Sequence, residues 1–99
     1  MRVRIIKEFQ ELMKNLYLEK DSKRGIEKTV LKLMEEVGEL AESVLLEDEE
    51  KIEEEIIDII AWTLSIANIL NIDVSLAFKE KYDEICPRCN SNPCSCDSI

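Results

Sequence analysis

Leu33-Met34-Glu35-Glu36-Val37-Gly38-Glu39-Leu40-Ala41-Glu42, followed along the chain by Glu55-Ile56-Ile57-Asp58-Ile59-Ile60-Ala61-Trp62, sets two groups of acids inside two apolar stretches. Twelve of the 22 acidic residues lie between Glu35 and Asp58, against one base, Lys51. A field of that sign asks for cations. At about 100° per residue, an α-helix places Glu35 and Glu39 roughly 40° apart and Glu36 about 60° further round, so the trio shares one arc. Glu55 and Asp58, at i and i+3, share a face of the following helix. Asp58 stands among isoleucines, and a carboxylate buried there must be neutral, paired or bound to a metal, because an isolated buried charge is very costly.

The apolar residues of the first of these helices, Val30, Leu33, Val37, Leu40, Ala41 and Val44, centre roughly opposite the trio. Taken alone, the trio therefore also fits a solvated acidic face. Two helices folded back on each other would instead bring both carboxylate sets to one cleft. Oxygen ligands, with no histidine in the chain and no cysteine nearby, suit Mg²⁺ or Mn²⁺ rather than Zn²⁺ or Cu²⁺.

The pattern Glu35-Glu36-x-x-Glu39 then Glu55-x-x-Asp58, with the wording from Leu33 to Glu42 around it, resembles the signature of the MazG-type branch of the all-α nucleoside triphosphate pyrophosphohydrolases. The likeness extends from about Phe9 to Tyr82. It implies an all-α fold, a four-helix MazG-like bundle completed by oligomerisation as a homodimer or homotetramer. It also implies Mg²⁺ held by Glu35, Glu36, Glu39, Glu55 and Asp58, one glutamate serving instead to orient water, and hydrolysis of a nucleoside triphosphate to its monophosphate and pyrophosphate. Arg24, just before the motif helix, and Lys79 and Lys81, on helix four, are candidates to contact phosphates, although each also reads as a solvated surface residue. Trp62, one turn after Asp58, either stacks on a base or is an ordinary core residue. The runner-up substrate in the same fold is phosphoribosyl-ATP. A reading of another class is a non-catalytic helical interaction module whose acids only confer solubility and whose Cys tail binds zinc.

With 99 residues and 45% hydrophobic content, the chain fits one domain with a modest core, the kind that oligomerisation often completes. A net charge of −9 and a pI near 4.5 argue against binding duplex nucleic acid, which needs basic patches. No uncharged apolar run reaches membrane-spanning length and the N-terminus lacks a signal-peptide core, so a soluble, cytoplasmic protein is expected.

Periodicity predicts helix one over Val3 to Leu18, with Ile5, Ile6, Phe9, Leu12, Met13 and Leu16 inward, then a loop over Lys20 to Gly25. Helix two is expected over Ile26 to Leu46, and Gly38 within it reads either as a close backbone approach or as a small-residue helix contact. Helix three, capped by Asp48, runs from Glu49 to Leu70 and is apolar nearly all round from Ile56, as for a helix surrounded by others. Helix four, capped by Asp73, runs from Val74 to Ile85.

Residues 1–85 form the helical domain on this reading and 86–99 a Cys-rich tail. There Cys86, Cys89, Cys94 and Cys96 hold all the thiols of the chain in C-x₂-C-x₄-C-x-C spacing. Four thiolates can close a structural Zn²⁺ site; two disulfides or an unstructured redox-sensitive tail are the alternatives. The tail is no part of the family signature.

Overall fold

The computed structural model describes residues 4–97. Four helices follow one another, α1 (Arg4–Arg24), α2 (Ile26–Leu45), α3 (Glu49–Ile69) and α4 (Val74–Lys81), with no strand among the described residues. Helix α3 is in the middle: α2 and α1 each pack along it with little contact to one another, and α4 leans on α1. No single helix among the described residues is long and apolar enough to cross a membrane.

Helix α1 runs through the segment expected as a loop, because nothing polar in Lys20–Arg24 breaks a helix. Lys23 lies 3.4 Å from Glu19 and Arg24 lies 2.7 Å from Asp21, both at helical spacings. Lys23 and Arg24 also suit the negative end of the helix dipole. The break shrinks to Gly25, whose φ of 90° is strained for any residue with a Cβ. Val3, the expected start of helix one, lies outside the described residues.

The next two connections use one device twice. After α2, Glu47 N donates to Val44 O and Asp48 N to Ser43 O, each at 3.1 Å. After α3, Asn71 N donates to Asn68 O (3.2 Å) and Ile72 N to Ala67 O (2.8 Å). Glu47 and Asn71 take the left-handed φ, 54° and 56°, that this closure of the last helical carbonyls requires. The expected aspartate caps follow at once: Asp48 accepts from Lys51 N at 3.2 Å and Asp73 from Leu76 N at 3.1 Å. The Leu76 N–H, with the Ser75 hydroxyl next, holds the Asp73 carboxyl below the ordinary carboxylate range. Helix α4 ends at Lys81 rather than at Ile85. Asp83 and Glu84 would load negative charge onto its negative end, and Glu84 turns to a φ of 67° before Pro87.

A polar lock ties α1 to the α3–α4 corner. Gln10 Nε2 donates to Asn68 Oδ1 (3.0 Å) and to the Ile72 carbonyl (2.7 Å), Gln10 Oε1 accepts from Val74 N (3.0 Å), and Asn68 Nδ2 donates to the Gln10 carbonyl (3.1 Å). The Val74 bond satisfies one of the orphan N–H groups that open α4.

The packing face of α2 departs from the apolar pattern. Ile26, Thr29, Leu33, Glu36, Leu40 and Ser43, three and four residues apart in alternation, are its buried or half-buried positions, whereas Val30, Leu31, Met34, Val37, Val44 and Leu45 stay exposed, Leu45 at 83%. The face turned to α3 lies between the apolar stripe and the acidic trio. It takes Leu33 and Leu40 from the one and Glu36 from the other. Ile5, Phe9, Leu12 and Leu16 of α1 are likewise exposed, and so are Ile56, Ile57 and Ile60 of α3, the helix expected to be covered all round. A Cβ at Gly38 would meet nothing within 4 Å, so neither close approach expected there occurs within the chain. Fully buried apolar residues amount to Leu64 and Ala67 among the described residues.

Candidate functional site

Three carboxylates meet where α2 crosses α3. Glu36 and Glu39 from α2 and Glu55 from α3 each offer an oxygen, all within 4.8 Å of one another. Glu55 is the buried member, 3% exposed, and Glu36 is half-buried. Neither Glu36 Oε2 nor Glu55 Oε2 has a hydrogen-bond partner among the described residues, although both atoms are out of reach of solvent. The Ser43 hydroxyl, beside Glu39 and Glu55, offers no relief, because Ser43 Oγ donates to the Glu39 carbonyl at 2.8 Å.

Such crowding has an electrostatic signature. The Glu55 carboxyl is raised above its ordinary value, first because a proton shared with the Glu36 carboxyl is favoured, then by burial and by the Glu36 charge, with Asp58 adding a smaller push. Two negative oxygens with no donor between them are a liability that either a proton or a cation relieves.

The divalent-ion fit is close. Oxygens bound to one Mg²⁺ stand at most about 4.2 Å apart, so three within 4.8 Å need only small side-chain shifts. Glu35, on the outer edge of the same arc, stands apart from this trio, its carboxylate 3.5 Å from Lys32 Nζ and largely exposed. Asp58 lies one helical turn beyond Glu55 and is half-buried, lining a cavity of about 320 Å³ between α1 and α3. The buried anomaly that the sequence attaches to Asp58 belongs to Glu55, since Ile56, Ile57 and Ile60 point outward and leave Asp58 at a cavity wall.

The same cavity is lined by Tyr17, Asp21, Arg24, Trp62 and Ser65. The Arg24 guanidinium lies over the Trp62 ring at 4.9 Å and pairs with Asp21 at 2.7 Å. Asp21 is 2% exposed, and its second oxygen has no partner. Arg24 and Trp62 thus come together at one wall, whereas Lys79 and Lys81 remain exposed on α4 and line neither this cavity nor the cleft beside Glu39. Asp21 falls in the segment expected as a loop; its i, i+3 spacing to Arg24 is the signal for a continuous helix there. On the other side of the carboxylates, a cleft of about 350 Å³ is bounded by Glu39, Glu55, Ser43 and Lys51. Lys51, the single base of the acidic stretch, faces that cleft.

The four tail cysteines also converge, their Sγ atoms within 4.8 Å of one another. Backbone and hydroxyl donors of Ser95 hold the Cys89 thiol down at about 5, while the thiols of Cys94 and Cys89 push Cys96 up to about 11.

A family model for the MazG nucleotide pyrophosphohydrolase domain matches residues 24–91, from Arg24 through all of α2, α3 and α4 and into the cysteine tail. The chain belongs to the MazG nucleotide pyrophosphohydrolase family. A comparison with individually curated proteins gave no match.

Replacing Glu55 by Gln tests the crowding. A carboxyl raised in the folded state contributes stability that is present below its unfolded value, near 4.5, and is lost as pH rises through the folded one. With metal chelated at pH 7.5, Glu55→Gln should therefore melt above the unsubstituted protein, the difference closing toward pH 4.5. Adding Mg²⁺ should stabilise the unsubstituted protein and leave the variant unchanged. A variant that melts lower in chelator at pH 7.5 would contradict this electrostatic account.

Proposed function

We propose that the chain hydrolyses nucleoside triphosphates to nucleoside monophosphate and pyrophosphate with Mg²⁺ as cofactor, Mn²⁺ replacing it. The observation that carries this reading is the convergence of Glu36, Glu39 and Glu55, with two orphaned oxygens shut off from solvent, beside a cavity walled by Asp58 and Trp62. Family membership supplies the reaction class.

Glu36, Glu39 and Glu55 would hold the ion, with Asp58 extending the ligand set toward the cavity and Glu35 joining it by leaving Lys32. Bound Mg²⁺ supplies the positive charge that neutralises the phosphates and makes water a better nucleophile. The chain's own part is positioning. Trp62, with the Arg24 cation over its ring, offers a flat wall for a nucleobase, and the unpartnered Asp21 oxygen offers an acceptor beside it. Lys51 lies where the cleft beside Glu39 would receive the departing pyrophosphate. A carboxylate of the trio not saturated by metal orients water toward the α-phosphorus, and the bond to the β-phosphate breaks.

The same reading includes a homo-oligomer. The chain exposes 7840 Å², about 2,000 Å² more than the ~5,800 Å² of a compact monomer of this mass. Its radius of gyration is 15.6 Å against about 13 Å for a compact chain of this length. The excess surface is of the size an obligate subunit interface buries, and the exposed stripe of Val30, Leu31, Met34, Val37 and Leu45 with small Gly38 and Ala41 supplies an apolar face.

Incubated with a panel of nucleoside triphosphates and Mg²⁺, the protein should release pyrophosphate. Asp58→Asn and Glu39→Gln should each lower kcat/KM by more than about 100-fold, since even outer partners of a metal site are worth 10–100-fold. No release with either Mg²⁺ or Mn²⁺ would favour a non-catalytic helical module. Light scattering at micromolar concentration should find a dimer or a larger assembly, and Met34→Glu should reduce it to single chains; a monomeric unsubstituted protein would contradict the apolar-face reading.

A further inference from the structure

We propose that Cys86, Cys89, Cys94 and Cys96 bind one Zn²⁺ ion as a closed structural site that holds the segment after α4 in shape. The site is separate from the carboxylate seam and does not depend on the proposed hydrolysis.

Distances favour a metal over disulfides. The Cys86 and Cys96 Sγ atoms are 3.8 Å apart. A disulfide brings sulfurs to about 2.05 Å, whereas a tetrahedron with Zn–S bonds of about 2.3 Å has edges of about 3.8 Å. All four sulfurs fall within 4.8 Å of one another, so the set converges on one centre rather than forming two separate pairs.

The backbone is folded to present the sulfurs. Asn90 N donates to the Cys86 carbonyl (2.8 Å) and Cys86 N to the Ser91 carbonyl (2.9 Å), closing a loop in which Asn90 takes a φ of 57°. Ser95 N donates to Cys89 Sγ and Cys96 N to Cys94 Sγ, each at 3.3 Å. Bonds of this kind orient ligands and temper the negative charge of a thiolate set. Asn92 Nδ2 donates to the Glu84 carbonyl at 2.8 Å, fastening the loop to the end of the helical domain.

Little else supplies cohesion. No residue from Tyr82 to Asp97 is buried, and none of them belongs to a helix or strand. A segment with that little apolar cover orders itself around a metal or a covalent link. With four protein sulfurs the shell has no open position, which assigns the ion a structural part and not a catalytic one.

The test uses full-length protein kept reduced. After equilibration with Zn²⁺ and gel filtration, elemental analysis should find about one zinc per chain, with Cys86→Ser and Cys96→Ser retaining less than a tenth as much. Co²⁺ in its place should give the visible absorption of a tetrahedral thiolate site. Chelation should accelerate amide exchange over 86–96 while exchange in α1 to α3 stays unchanged. Absence of retained zinc, iron in its place, or full zinc retention by both variants would each overturn the proposal; loss of pyrophosphatase activity would not bear on it.

Discussion

The fold depends on a repulsion left uncompensated within the protein chain. Where α2 crosses α3, Glu36 and Glu55 turn carboxylates into a seam that excludes water, and no lysine, arginine or hydroxyl among the described residues answers them. An apolar pair at those positions would pack at lower free-energy cost. The proposed cation would relieve the repulsion there; among the described residues the interior holds a glutamate, an aspartate, a threonine and three serines beside two buried apolar residues, Leu64 and Ala67.

That constraint also accounts for the position of the apolar residues. Because α2 spends its inward face on Thr29, Leu33, Glu36, Leu40 and Ser43, its strongest hydrophobic stripe is displaced outward. With that stripe turned outward, the single chain is extended and exposes a large apolar surface. The polar lock around Gln10 and the paired turn closures then carry much of the work of holding the helices in register, since the core is too small to do so alone.

The helical architecture was legible in the sequence because punctuation is sparse and the breaks at Asp48 and Asp73 use ordinary caps. The carboxylate motif was legible too, through its spacing and its likeness to a family. What escaped was governed by tertiary contact. Lys20–Arg24 looks like a loop by composition, yet ion pairs at helical spacing keep it in α1, and with it Asp21 in the cavity wall. Asp58 attracted attention through its isoleucine neighbours, but sequence neighbours on a helix point in different directions, and burial fell on Glu55 instead. The inward face of α2 could not be read from hydrophobicity, because in this seam hydrophobicity is not what chooses the face.

Anomalous diffraction from crystals grown with Mn²⁺ addresses the central claim most directly. The account predicts a strong peak between the carboxylates of Glu36, Glu39 and Glu55, within about 2.3 Å of an oxygen from each. A map without manganese there, with the carboxylate seam otherwise unchanged, would contradict it.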